Sequence, residues 1–355
     1  MKTRGLVKEG IKKTVFATSI VVGGCLIVVL GVTAIISGGN GDISAALESA
    51  QKASALTLSI AGGDVNEAPP QVLGVQITAP QLPKQIAALP QVSAFTADVV
   101  VVKDHASGAL LYDKNAYAPH VMASITKLMT ALVLLETDIN WNKLVTVAYD
   151  DIVDPHMYGG DEYMVQDVWF AGIAGSSNRA MQTLADSTGW PREAFVARMN
   201  EKAVELGMTD TTFVEPTGLS NDNISTGADV ALLLAEAMNH EMIQRAMLQP
   251  TYTLRPSGRN SHTVNNTNWL LHEWTPHDFF VLRGGKTGYI PASGYNFTMQ
   301  VEDEDTNLLD VVVLGADYHE SRFTEARDIA SSVYDAYIWP NNPDYVNVET
   351  FTHEE

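Results

Sequence analysis

Thr14 to Gly41 carries no charged residue, and its apolar heart, Val15 to Ile36, is 22 residues long. A helix of about 20 apolar residues matches the hydrocarbon thickness of a bilayer. The residues before it hold Lys2, Arg4, Lys8, Lys12 and Lys13 against Glu9. A basic flank of this kind stays on the cytoplasmic side. The pattern predicts a cytoplasmic tail over 1–13, one transmembrane helix over 14–37, and an extracytoplasmic remainder. The run exceeds the about 7–15 apolar residues of a cleavable signal, which favours an uncleaved anchor. Cys25 follows Val22-Gly23-Gly24, loosely like a lipid-attachment box. Apolar Leu26–Leu30 continues where a polar tail would follow, so Cys25 reads as a membrane-buried thiol.

Cys25 is the only cysteine, which excludes an internal disulfide and a thiolate zinc cluster. His272 and His277 lie in a loop-like stretch and read as surface histidines, so no metal and no cofactor is expected. The formal net charge of -20 argues against nucleic acid, because phosphate binding needs a basic surface.

Residues 38–95 read as an extended linker. Pro69, Pro70, Pro80, Pro83 and Pro90 punctuate a segment rich in Ala, Gln and Ser, the composition of a semi-rigid spacer. A short helix is compatible with 43–56. From Ala97 the pattern turns globular. Val99–Val102 and Ala109–Tyr112 read as strands around a turn at Ser107-Gly108. Met122–Glu136, Val165–Ser187 with a break at Gly175–Asn178, and Thr226–Asn239 read as helices, as does a segment opened by Pro191 and closed by Gly207. Phe279–Leu282, Tyr295–Val301 and Leu308–Leu314 are strand-like, and Ser321–Tyr337 is helical. Strands at both ends with helices between predict an α/β (α+β) domain over 96–340, its sheet built from the two ends, followed by an acidic tail over 341–355.

Three short motifs fall within this domain. In Ser124-Ile125-Thr126-Lys127, residues three apart share a helix face, so Lys127 can reach the Ser124 hydroxyl. A serine hydroxyl needs a neighbouring base, and a lysine serves only when neutral. Burial and a second nearby cation both favour the neutral amine. The apolar residues from Leu128 to Leu135 supply the burial, and the helix N-terminus offers backbone N–H groups to an oxyanion. Ser176-Ser177-Asn178 interrupts a helix; its first serine can relay a proton to a leaving amine and its asparagine can hold a substrate carbonyl. In Lys286-Thr287-Gly288 a strand would face Lys286 and Gly288 one way and Thr287 the other. Lys286 is then the second cation, Thr287 can bond a substrate carboxylate, and Gly288 admits a close substrate strand. Each triplet alone is equally compatible with an ordinary turn or surface lysine; the ordered set is specific.

With these motifs the chain resembles the penicillin-binding D-alanyl-D-alanine carboxypeptidases, serine peptidases of the β-lactamase-like fold. Ala123–Ala131 is very close to the family's nucleophile helix, and Leu111–Asn115 to its strand end. Phe213–Leu219 resembles its FxNPTGL segment, and Ser225–Ala231 and Asn266–Leu271 are also similar to family segments. The resemblance covers roughly 97–338. It implies an antiparallel sheet with flanking helices that carries Lys286–Gly288, and a helical subdomain that carries Ser176–Asn178. It also implies an oxyanion hole from the N–H groups of Ser124 and Tyr289. Arg322 sits where related enzymes often hold the terminal carboxylate, though a surface place at a helix start is equally open. Glu215 replaces the usual asparagine, Arg179 follows Asn178 where small or acidic residues are usual, and His120-Val121-Met122 replaces a common proline.

By this resemblance the expected activity is D-Ala-D-Ala carboxypeptidase trimming of peptidoglycan pentapeptides through a Ser124 acyl-enzyme, with β-lactams as covalent inhibitors. A DD-endopeptidase with the same machinery is the first alternative. A β-lactamase using Glu215, or an idle peptidoglycan-binding protein, are lesser ones. The expected seat is the bacterial cytoplasmic membrane, single-pass, with the catalytic domain outside.

Overall fold

The computed structural model describes residues 17–22, 25–30, 81–149, 152–348 and 350. The chain divides into two units, Met1–Ile77 and Thr78–Glu355. In the first, Ala17–Val22 and Cys25–Leu30 pair as antiparallel strands where the sequence predicts one helix. The run is rich in β-branched Val and Ile, which favour strands. Among the described residues no helix is long and apolar enough to cross a membrane. The segment 43–56 and most of the predicted linker lie outside the described residues.

The second unit is organised by a five-stranded antiparallel sheet. Its strands are β1 (Val99–Asp104), β2 (Leu110–Lys114), β3 (Val281–Ile290), β4 (Gly294–Glu302) and β5 (Leu308–Ala316), in the spatial order β3-β4-β5-β1-β2. The sheet therefore joins the two ends of the domain. Val99–Val102 is buried without interruption, because both faces of the sheet are covered. Val99 and Val101 face the larger helical core together with Val312 and Leu314. Val100 and Val102 face the opposite core with Phe297, Met299 and Phe323.

The helices are α1 (Thr126–Leu135), α2 (Val165–Ile173), α3 (Asn178–Ser187), α4 (Arg192–Glu205), α5 (Gly227–Ala237), α6 (Glu241–Met247) and α7 (Ser321–Ala336). α1 is buried from Thr126 to Leu134 within the larger helical core. The last strand-to-helix segment places α7 against the second core, through Phe323, Ala326, Ile329 and Val333. Pro191 takes the N-cap of α4 rather than its first turn.

Two boundaries differ from the sequence reading. The domain begins before residue 96: Lys84–Gln85 pairs with Tyr337–Ile338, and the Tyr112 hydroxyl donates to Pro90 O at 3.0 Å. Nor does it stop at 340, because buried Tyr345 donates from its hydroxyl to Leu82 O at 2.7 Å and receives Lys84 Nζ on its carbonyl at 2.9 Å. A proline-spaced segment reads as a spacer in sequence, yet extended backbone can equally add to a sheet edge. Similarly, the strand expected at Phe279–Leu282 runs over Val281–Ile290 and takes in Lys286–Gly288. Its glycines hid it from a pattern based on hydrophobic residues.

Candidate active site

β3 is an edge strand of the sheet, and its free side faces the start of α1. Between β1–β2 and α1 the chain turns sharply at a single 3-10 turn, Ala123–Ile125. Ala123 has φ 47, a left-handed conformation rare for a residue with a side chain. Four neighbours over-determine this turn. Asn296 on β4 donates from Nδ2 to Val121 O (2.9 Å) and Met122 O (3.1 Å), and Met122 N donates to Asn223 O at 3.0 Å. Gly218 lies directly against Ala123 O, and Gly288 packs so closely that a Cβ there would stand 3.1 Å from Ser124 N. Strain of this kind, of order 1–3 kcal/mol per residue, persists only when the surroundings hold it. The result is a partly exposed Ser124 hydroxyl at the head of a buried helix.

Lys127 is wholly buried, and its Nζ has three polar neighbours: Ser124 Oγ at 2.7 Å, Asn178 Oδ1 at 2.7 Å and Thr217 O at 2.6 Å. An isolated buried ammonium is costly, by several kcal/mol even after relaxation. Burial therefore pushes the amine down to about 7, while the charges of Glu215 and Asp154 oppose the shift. Lys286 is buried as well; its Nζ reaches Ser176 Oγ at 2.7 Å and Thr287 O at 3.0 Å. Burial first, then the charges of Lys127 and Arg322, hold it well below the usual lysine range.

Ser176 and Asn178 thus stand between two lysines from different elements. Ser176 has φ 57, a second strained non-glycine position at the site. Ser177 caps α3 by accepting from Ala180 N at 3.0 Å, and donates from Oγ to Asp154 Oδ2 at 2.7 Å. The Ser177 hydroxyl is accordingly structural, while those of Ser176 and Ser124 are turned to the lysines.

Lys286 and Gly288 share one face of β3 and Thr287 takes the other, as strand alternation requires. Thr287 Oγ1 pairs with Thr267 Oγ1 at 2.5 Å. Arg322 is 4% exposed, which removes the surface alternative for it. Its Nη1 donates to Gly288 O at 3.2 Å, its Nη2 meets His319 Nε2 at 2.7 Å, and its guanidinium lies over the Phe323 and Tyr295 rings. Burial pushes Arg322 down to about 10, and burial followed by the Arg322 charge pushes His319 to about 4. Tyr289 is half-exposed and stacks on Tyr295 with ring centroids 4.4 Å apart.

Among the residues singled out in sequence, hydrogen bonds join Lys127 to Ser124 and Asn178, Lys286 to Ser176, and Arg322 to Gly288 O, while Thr287 and Tyr289 lie beside Gly288 on β3. Sequence reasoning missed Thr217, whose carbonyl touches the base, and Thr267, Asp154 and Asn223, which hold the second layer. Their contacts to the site come from far along the chain and are found only by folding: Thr217 lies 90 residues from Lys127, Asn223 97 from Thr126, Asp154 23 from Ser177 and Thr267 20 from Thr287. Of the three departures, His120 serves structure, its Nε2 being 3.0 Å from Ser293 O. Arg179 donates its backbone N–H to Asp154 Oδ2 at 3.2 Å and Nη1 to Met157 O at 3.4 Å, bracing the loop before α2. Glu215 is engaged by its own turn, accepting from Thr217 N and Gly218 N at 2.6 Å each and from Asn223 Nδ2 at 2.9 Å.

Chemically, the cleft offers a hydroxyl activated by an amine poised near neutrality, a second hydroxyl bridged to another buried amine, and backbone N–H groups beside a glycine edge. The profile of the D-alanyl-D-alanine carboxypeptidase family, Peptidase_S11, matches residues 84–318. A D-alanyl-D-alanine endopeptidase of Pseudomonas aeruginosa is 30% identical over 258 residues, covering 69% of this chain and 79% of that protein. The D-alanyl-D-alanine carboxypeptidase DacF of Bacillus subtilis is 30% identical over 69% of this chain and 64% of its own length. Among solved structures, penicillin-binding protein D2 of Listeria monocytogenes with cefotaxime bound superimposes with a TM-score of 0.60 at 28% identity, over 68% of this chain and 98% of that one.

Proposed function

This chain belongs to the D-alanyl-D-alanine carboxypeptidase family, and from that premise we propose that it is a serine-type D-Ala-D-Ala carboxypeptidase that trims peptidoglycan stem peptides. The observation that carries the proposal is the 2.7 Å approach of a buried Lys127 amine, lowered to about 7, to Ser124 Oγ. Neutral Lys127 takes the Ser124 proton as Oγ attacks the carbonyl between the two terminal D-alanines. The oxyanion is received by the N–H groups of Ser124 and Tyr289 beside Gly288. Ser176, bonded to Lys286 Nζ, passes a proton to the leaving amine of the terminal D-alanine. Asn178 holds the peptide backbone, and Thr287 with Arg322 behind it receives the terminal carboxylate. Water then repeats the steps on the acyl-enzyme, returning Ser124.

A β-lactam presents the same acyl group, so it should acylate Ser124. Labelling by a fluorescent penicillin is expected for the wild type and lost in Ser124→Ala. A wild type that never labels would remove the acyl-enzyme reading. Release of D-alanine from a pentapeptide, set against cleavage of a crosslinked dimer, separates carboxypeptidase from endopeptidase. The endopeptidase reading is favoured by one specific finding, the names of the Pseudomonas aeruginosa and Escherichia coli relatives. A β-lactamase role for Glu215 has little support, because both its carboxylate oxygens accept bonds from the turn that contains it.

The apolar run Val15–Ile36 is proposed to anchor the domain at the outer face of a bacterial cytoplasmic membrane. Two open-edged strands leave backbone groups unpaired in lipid, whereas a helix satisfies them all. A bilayer would thus favour the helix over the hairpin. Glycosylation-site or protease mapping on intact cells would test this, with an accessible N-terminus counting against it.

A further inference from the structure

Glu215 stands where the resemblance leads one to expect asparagine. Its carboxylate closes the turn from 215 to 220: Oε2 accepts from Thr217 N (2.6 Å) and Thr217 Oγ1 (2.5 Å), Oε1 from Gly218 N (2.6 Å) and Asn223 Nδ2 (2.9 Å). This turn also packs against the nucleophile helix. It gives Thr217 O to Lys127 Nζ at 2.6 Å and Pro216 O to Thr130 Oγ1 at 2.6 Å. Its Gly218 supports the backbone at Ala123, and Asn223 reaches Thr126 Oγ1 at 3.1 Å. A charged group has therefore been inserted into the scaffold that holds the base.

We propose that Glu215 is a positioning residue of the reaction: its carboxylate fixes the turn that sets Thr217 O on Lys127 Nζ, and it places an acidic side chain beside that amine. The inference rests on the Ser124 acyl-enzyme reading. The charged groups facing Lys127 are Glu215 from this turn, Asp154 from the loop before α2 and Lys286 from β3. The two acids hold a proton on Lys127 against burial. Glu215 thus trades some free base at low pH for an amine held in one place. An amide at 215 keeps the size and one acceptor but loses the charge and half of the acceptor contacts.

The test is the pH dependence of acylation by a fluorescent penicillin, for the wild type, Glu215→Gln and Glu215→Asp. In Glu215→Gln the midpoint of the rise with pH should move to lower pH by about one unit, the shift of an opposite charge removed. Its plateau rate should fall by about tenfold as the turn loosens. Glu215→Asp keeps the charge and should keep the wild-type midpoint. A Glu215→Gln midpoint that coincides with the wild type overturns the inference even if the rate falls, because a purely structural role lowers the rate without moving the midpoint. Should Glu215→Gln fail to melt cooperatively, Glu215→Asn, the residue implied by the resemblance, carries the same expected shift and the same refutation. A wild type that never labels sinks the acyl-enzyme reading and this inference together. A labelled wild type with an unmoved variant midpoint sinks this inference alone.

Discussion

Gly218→Ala should disable the nucleophile while touching no reacting group. Gly218 has φ +86, and a Cβ built on it falls inside the contact radius of Ala123 O and 2.9 Å from Ser124 N. These are backbone atoms, so no side chain can swing away. Carbon and carbonyl oxygen settle at ~3.3 Å or more, so the two segments must part by more than ~1 Å. The left-handed conformation adds about 1–2 kcal/mol for any residue with a Cβ. Whichever segment yields, the geometry of Ser124 and Lys127 changes. If the turn at 123–125 moves, Ser124 Oγ leaves its place; if the 215–220 turn moves, Thr217 O leaves Lys127. A displacement near 1 Å costs about a hundredfold in rate.

The assay is the second-order rate of labelling by fluorescent penicillin, read beside the melting temperature. Two further variants calibrate it. Gly108→Ala has φ +71 but nothing within 4 Å of its Cβ, so it should lower Tm by about 2–4 °C and leave labelling alone. Gly288→Ala meets Met122 O at 3.0 Å and Ser124 N at 3.1 Å, an approach that small shifts relieve. Its methyl would shade the Ser124 N–H, for an intermediate loss of about tenfold or somewhat more. A Gly218→Ala protein that labels within about twofold of wild type would refute the claim that this glycine holds the nucleophile turn.

Acylation by penicillin should rise with pH through about 7, because only neutral Lys127 can take the Ser124 proton and burial lowers the amine to about 7; below that value the rate should drop by about tenfold per unit, and a profile flat to pH ~5 would exclude Lys127 as the base. At one end of the sheet, the bond from His105 to Asp310 (2.9 Å) is the first cause of a raised His105 pKa, with burial opposing it. A raised folded value means that stability is fully present below the unfolded value, near 6.5, and is lost as pH rises through the folded one. His105→Gln should therefore lower Tm by about 2–4 °C at about pH 5 and by much less at about pH 9, and an equal loss at both would remove the ion-pair account.

What could be read in the chain followed from short-range geometry. Ser124 and Lys127 are three residues apart on one helix, and period alone brings them together. The valines at 99–102 announce a strand covered on both sides, and the interruption at Gly175–Asn178 announces the break that carries Ser176. The lysine's remaining acceptors could not be read, because Asn178 and Thr217 lie 51 and 90 residues away from Lys127. The same holds for Glu215. In sequence it is an acid next to a proline, equally suited to activating water or to bonding its own turn. The choice depends on whether its oxygens face the cleft or the backbone, and only the fold decides that. The strand Lys84–Gln85 shows the converse: its segment reads correctly as extended but wrongly as free, since its pairing partner is chosen by Tyr337–Ile338 at the other end of the domain. The motifs therefore locate the reacting groups, whereas the burial and the acceptor set that make Lys127 a base at neutral pH come from α1, the 215–220 turn and the head of α3 closing on one amine. Substitutions in that closing layer, not in the motifs themselves, are where activity should be adjustable without being abolished.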